Sequence, residues 1–206
     1  MQDLIILGTG VHGAEMAEIV ERVNQVERKW NLIGHIAPRE TDETEFHGRP
    51  ILGTKEALER CPGAVWIPDN EFPRGDLAAL PRERFITLID PSVFVSSTAK
   101  IGKGCVFYPN CYIGLKATIG DFVFALSGSV INHDDRIEDR VVFASGATLA
   151  GFVTVESDCY LGQSCSVRQS LTIGQKSLIG MGAVVIRDVP PNSVMVGNPA
   201  RKLRDR

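Results

Sequence analysis

In the stretch SVINHDDRIEDR, residues 129–140, His133 is followed directly by Asp134 and Asp135. The chain's other histidines, His12, His35 and His47, all lie in its first half. An imidazole titrates near neutrality and can take and return a proton, and a carboxylate beside it can orient the ring. A second group lies near the N-terminus, where GTGVHG places Gly8, Gly10, His12 and Gly13 after a short apolar run. Glycines at that spacing permit a tight turn that brings backbone N–H groups and a helix N-terminus toward a phosphate.

The element that carries His133 is a repeat of six. From Val95 to Val185 every sixth residue is apolar: Ile101, Phe107, Ile113 and Ile119, then onward through Ile131 and Ile137 without an insertion. Two places before each lies a mostly small residue, such as Ala99, Cys105, Ala117, Ser129, Ala147 or Cys159, with Asp135 in the same series. Glycine often follows the apolar position. This periodicity predicts a triangular solenoid in which a short strand points one bulky side chain inward and a glycine-tolerant corner follows. Pro190 and Pro191 should end the ladder. His133, two places after inward-facing Ile131, should stand at a corner with its ring directed out of the coil. Cys105, Cys111, Cys159 and Cys165 fall in the small series and read as small buried hydrophobes.

Residues 1–91 read differently. A strand, the glycine turn and an amphipathic helix are followed by a second strand in WNLIGHIAP, strands at 64–68 and 85–90, and helices near 55–60 and 75–80. A dinucleotide site would want an acid after the second strand, and Ala37–Pro38 stands there. The expected division is a small α/β domain over 1–91 and a solenoid over 92–206, with His35 and His47 as structural or surface residues.

The totals narrow the function classes. The 206 residues are 44% hydrophobic and 23% charged with a formal charge of −3, and without a basic tract nucleic acid is not an expected partner. No apolar run is long enough to span a bilayer, and the N-terminus lacks the basic region of a signal peptide. Five cysteines without CxxC spacing suit reduced thiols in the cytoplasm and no metal site.

The hexapeptide series together with GAVVIRDVPPNSVMVGNPAR resembles the left-handed β-helix acyltransferases. The preceding α/β unit extends that resemblance to a narrower subfamily: sialic-acid O-acetyltransferases and N-acetyltransferases of nucleotide-linked 4-amino-4,6-dideoxy sugars. The resemblance implies an N-terminal mini-Rossmann unit, a left-handed parallel β-helix, a homotrimer, and acetyl-coenzyme A as co-substrate. It implies His133 as general base with Asp134 as acidic partner, and a direct transfer. Gly151 would lie beside the acyl group, Gly180 and Gly182 beside the pantetheine arm, and Arg201 with Lys202 at the coenzyme's phosphates. Gly8, Gly10, His12 and Gly13 would hold the sugar nucleotide, with UDP, dTDP and GDP left open. Two departures stand out: Val142 and Leu126 occupy places where many relatives carry a histidine and an asparagine. An O-acetyltransferase, a γ-type carbonic anhydrase and a non-catalytic sugar-nucleotide-binding scaffold are the alternatives.

Overall fold

The computed structural model describes all residues, Met1 to Arg206. It divides into two compact units, Met1–Pro91 and Ser92–Arg206.

In the first unit, β1 (Gln2–Leu7) runs between β2 (Trp30–Ile36) and a third parallel strand, Val65–Pro68. Leu4, Ile5, Ile6 and Leu7 are wholly buried, as a central parallel strand covered on both faces should be. Helix α1 (Val11–Val26) connects β1 to β2 and turns Met16, Ala17, Ile19 and Val20 inward. Arg22 on its far side donates to the buried Asp90 carboxylate at 2.5 and 3.1 Å. Between β2 and the third parallel strand lie a two-residue hairpin and a 3-10 turn over Lys55–Arg60. The strand expected over 85–90 is shorter, Leu88–Ile89, because Arg82–Arg84 forms another 3-10 turn just before it.

The second unit is a parallel solenoid. Each coil takes 18 residues, so Tyr112 pairs with Val130, Thr118 with Arg136 and Phe124 with Val142. Every strand from Phe94 to Val185 is two residues long, and its second residue is the apolar one of the six-residue series. From Ile113 to Val185 that residue is buried on each of the three faces. The core is a stack of apolar side chains that neighbouring coils cover in turn.

The corners differ from the sequence expectation in their physical cause. Left-handed backbone falls three residues after the inward position, at Lys116, Phe122, Asp134, Arg140 and Phe152 among others, and most of these are not glycine. The glycines that directly follow the inward position serve stacking instead. A Cβ on Gly114 would lie 2.7 Å from the backbone of Asn132 and His133, and one on Gly162 would lie 2.6 Å from the Ile179 carbonyl. The prolines also do less than expected. They interrupt one corner, after which Ser193–Val196 still stacks parallel on Leu178–Ile179, and Arg201–Asp205 folds back antiparallel on it.

Candidate active site

His133 stands on a corner where the chain passes from Val130–Ile131 to Arg136–Ile137. Its side chain is 48% exposed, and Nδ1 lies 3.1 Å from Oδ2 of Asp134. Asp134 takes the left-handed φ of 59° that the corner needs, a conformation aspartate tolerates better than most residues. Its N–H donates to the Leu115 carbonyl one coil below at 2.8 Å, and the His133 carbonyl accepts from Phe152 one coil above at 3.1 Å. His133 and Asp134 are thereby fixed to three successive coils.

Above the ring lies Gly151. A Cβ there would fall 2.4 Å from Cε1, 2.5 Å from Nε2 and 2.9 Å from Nδ1 of His133. The imidazole therefore packs directly on glycine backbone, as a proton-transfer group beside a backbone N–H donor would need to. The exposed Phe152 ring meets the imidazole edge to face, with centroids 5.1 Å apart. Leu115, one coil below, and Phe152, one coil above, are exposed apolar side chains on this corner.

Of the residues singled out in the solenoid, His133, Asp134 and Gly151 come together. Gly180 and Gly182 lie on a different corner, with Met181 exposed between them. The Gly180 N–H donates to Met195 at 2.8 Å, whereas the space around Gly182 is open. Arg201 pairs with Val196 in the C-terminal hairpin and is exposed, as is Lys202. Val142 sits on a strand of the third face, between Phe124 and Tyr160, away from the His133 corner in register.

Asp135, which belongs to the mostly small series, is completely buried beneath the His133 turn. Its carboxylate accepts from Asn132 N at 2.7 Å and from Val153 N at 2.8 Å. Burial pushes its carboxyl up to about 6 against the pull of those two hydrogen bonds. The signal was present in the sequence as a charged residue in a series that is otherwise uncharged. Burial likewise pushes the Cys159 and Cys165 thiols up to about 11, which leaves them protonated and unreactive at neutral pH.

In the first unit the glycine turn is closely packed. Gly8 takes a φ of 138°, and a Cβ on Gly13 would lie 2.7 Å from the Gly8 carbonyl. That carbonyl accepts from Nδ1 of His35 at 3.0 Å, and burial lowers the pKa of the fully buried His35 ring. Gly10 caps α1 without a side-chain hydrogen bond, and His12 Nδ1 lies 3.2 Å from Glu15. No acid follows β2 directly, but one stands immediately after the third parallel strand. Asp69 is 4% exposed, and a Cβ on Gly8 would fall 1.9 Å from its Oδ2. Its Oδ1 accepts from Glu71 N and Phe72 N at 3.0 and 2.8 Å, and burial pushes the carboxyl up to about 6. Glu71 comes close to Gly10. A cleft of about 330 Å³ opens beside Ala37–Pro38, lined also by Arg39, Phe72 and the ion pair of Lys55 with Asp76.

No group of three or more His, Cys, Asp or Glu side chains is placed to hold a metal ion. No helix is long and apolar enough to cross a membrane.

Residues 152–187 match the family model described as the hexapeptide repeat of succinyl-transferase. Over 124 residues, 58% of this chain, it is 37% identical to GDP-perosamine N-acetyltransferase of Escherichia coli, of which the match covers 56%. The chain spans about half the length of the curated relatives it matches. Among solved structures, it is similar to a histidine-to-alanine variant of GDP-perosamine N-acetyl transferase from Caulobacter crescentus in complex with CoA and GDP-perosamine. There the TM-score is 0.86 at 25% identity, over 100% of this chain and 98% of that one. The acetyltransferase domain of PglB from Neisseria gonorrhoeae, in complex with acetyl coenzyme A, shares the fold with a TM-score of 0.87 at 23% identity, over 98% of this chain and 99% of that one.

Proposed function

We propose that this chain, a member of the hexapeptide-repeat acetyltransferases with the left-handed β-helix fold, moves the acetyl group of acetyl-coenzyme A to the 4-amino group of a nucleotide-linked 4-amino-4,6-dideoxy sugar. The observation that carries this reading is the His133 imidazole, oriented by Asp134 and seated on Gly151 at an exposed corner. The curated relative and the Caulobacter structure, named for GDP-perosamine, favour GDP as the nucleotide.

The reaction asks little of the protein beyond placement and one proton. The sugar amine attacks the thioester carbonyl, and a tetrahedral intermediate forms. His133 accepts the proton that the attacking nitrogen loses and returns it to the departing coenzyme thiolate, general base–acid work worth about 10²–10⁴ in rate. Asp134, at 3.1 Å from Nδ1, keeps Nε2 as the basic nitrogen. The Gly151 N–H is the donor we assign to the intermediate's oxyanion. Gly180, Gly182 and Arg201 would line the coenzyme's path. The Gly8–Gly13 turn and the cleft at Lys55 and Phe72 would hold the nucleotide.

Because Leu115 and Phe152 stand exposed on the His133 corner, we place a second protomer against it in a homotrimer. The need for acetyl-coenzyme A fits an enzyme of the cytoplasm. Incubation with acetyl-coenzyme A and a panel of GDP-, UDP- and dTDP-linked 4-amino sugars, with thiol release as readout, tests the assignment. Turnover with a GDP-linked 4-amino sugar is expected. A response to hydroxy sugars alone would assign O-acetylation instead, and no thiol release from any acceptor would leave a non-catalytic binding protein.

A further inference from the structure

On the face that leads into the His133 corner, the backbone ladder is interrupted once, beside His133. On that face, Gly114 N donates to the Ile131 carbonyl at 2.9 Å and Ala150 N to Val167 at 3.0 Å. Asn132 N, which holds the same place between them, turns instead to the Asp135 carboxylate at 2.7 Å. The strand pairing narrows with it: Val130 pairs with Thr148 alone, whereas the rungs on either side carry two residue pairs. A second exchange occurs one coil up. In the column of Asp135, the N–H groups of Ala99 and Ala117 donate to carbonyls three residues back, at 3.0 and 3.4 Å. Val153 N donates across the coils to Asp135 at 2.8 Å.

Both displaced donors belong to the site. Asn132 immediately precedes His133, and Val153 immediately follows the Gly151–Phe152 turn on which the imidazole rests. One buried carboxylate, using one oxygen for each, ties the coil of the base to the coil beneath which an oxyanion would lie. We propose that Asp135 is a positioning residue, which sets the spacing of the His133 ring from the Gly151 backbone by standing in for two backbone hydrogen bonds of the solenoid. This rests on His133 acting as the base.

The chemistry of a two-oxygen clamp makes it sensitive to protonation. Both oxygens accept, so a proton on either one removes an acceptor from Asn132 or Val153. The charges that face Asp135 come from its own turn, Asp134 raising and His133 lowering its pKa. Ala117 and Val153, below and above in its column, carry none. Release of this proton near pH 6 would therefore accompany assembly of the working geometry.

Two variants test the assignment, measured beside His133→Ala. Asp135→Asn keeps one acceptor, and Asp135→Ala restores the alanine that the two coils below carry at this place. Both are expected to fold cooperatively, and to lose kcat by about tenfold or more, since displacement of about 1 Å is enough for a hundredfold loss. The KM for acetyl-coenzyme A should stay within about a factor of two, because uniform binding is untouched. The acid limb of kcat against pH should also fall from a two-proton to a one-proton slope. Wild-type kcat and an unchanged pH profile in either folded variant, with His133→Ala inactive, would overturn the positioning role alone. Retained turnover in His133→Ala would remove the base itself. Failure of both Asp135 variants to fold would make the carboxylate a purely structural clamp and overturn the proposal.

Discussion

The imidazole of His133 occupies the space that a side chain on Gly151 would need, with Nε2 only 2.5 Å from where a Cβ would stand. The two residues are 18 apart, one full coil, so their contact is a property of the solenoid register rather than of local sequence. A methyl group at 151 cannot be accommodated without moving the ring. Because the ring is half exposed, it can swing aside, and the coil itself need not shift. Gly151→Ala should therefore leave the unfolding midpoint nearly unchanged and lower kcat by about 10- to 100-fold, the size of loss expected when a catalytic group is displaced by about 1 Å. A steady-state measurement with retained kcat would show that the ring's seat on Gly151 does not matter to the reaction.

Removing the ring is the more direct test. His133→Ala should lower kcat by about 10²–10⁴, with stability unchanged because the side chain is half exposed and its hydrogen bond lies at the surface. Asp134→Asn should have a smaller effect, since it retains an oxygen for Nδ1 and the left-handed backbone that asparagine also adopts. If His133→Ala turned over within a few-fold of wild type, proton transfer would have to be assigned to another group.

How much of this was legible beforehand depends on the range of each interaction. The inward series from Ile113 to Val185 was readable because a period of six places each such residue in the same environment, and the structure buries all of them. Gly114 and Gly162 follow the inward position in the sequence, but the corner angle is not their cause. Their role is set by backbone one coil away, at a separation no local pattern encodes. Lys116, Phe122 and Phe152 adopt left-handed backbone without any glycine signal, because the regular stacking of coils on both sides over-determines the corner. Asp135 was visible as a misfit, but its partners, Asn132 N and Val153 N, appear only when the coil is closed. Asp69 was not legible at all: a dinucleotide site predicts an acid after β2, whereas the carboxylate that meets Gly8 follows a different strand.

Asp69 gives a stability prediction with a definite sign. Its carboxyl is raised to about 6 chiefly by burial, so between the ordinary carboxylate range and pH 6 the folded protein binds this proton more tightly than the unfolded chain. Stability from this group is therefore highest at low pH and falls as pH rises through that window, by on the order of 3 kcal/mol in total. Both backbone donors go to the single oxygen Oδ1, which an asparagine carbonyl can replace. Asp69→Asn should raise the unfolding temperature at pH 7.5 and have little effect at pH 5. A wild-type residue held at such a disadvantage fits a functional acid at the glycine turn, so weaker binding of the nucleotide is expected in the same variant. Equal effects on thermal unfolding at the two pH values would show that Asp69 is not held protonated by the fold.

Two glycines of the solenoid separate the effect of stacking from that of backbone angle. Gly114 has ordinary backbone, but a Cβ there would lie 2.7 Å from Asn132 C and His133 N, atoms that cannot rotate away. Gly128 has a φ of 72° and nothing within 4 Å of where its Cβ would be. If glycine served the corner angle, replacing Gly128 would be the more harmful change. The close approach between coils predicts the reverse. Gly114→Ala should destabilise by about 1–3 kcal/mol, as overpacking does, and should depress kcat as well because the backbone it pushes carries His133. Gly128→Asn should be within about 0.5 kcal/mol of wild type, since asparagine tolerates left-handed backbone and the site is open. Denaturant midpoints for the two variants give the ranking, and a Gly128→Asn protein less stable than Gly114→Ala would return the corner glycines to a conformational role.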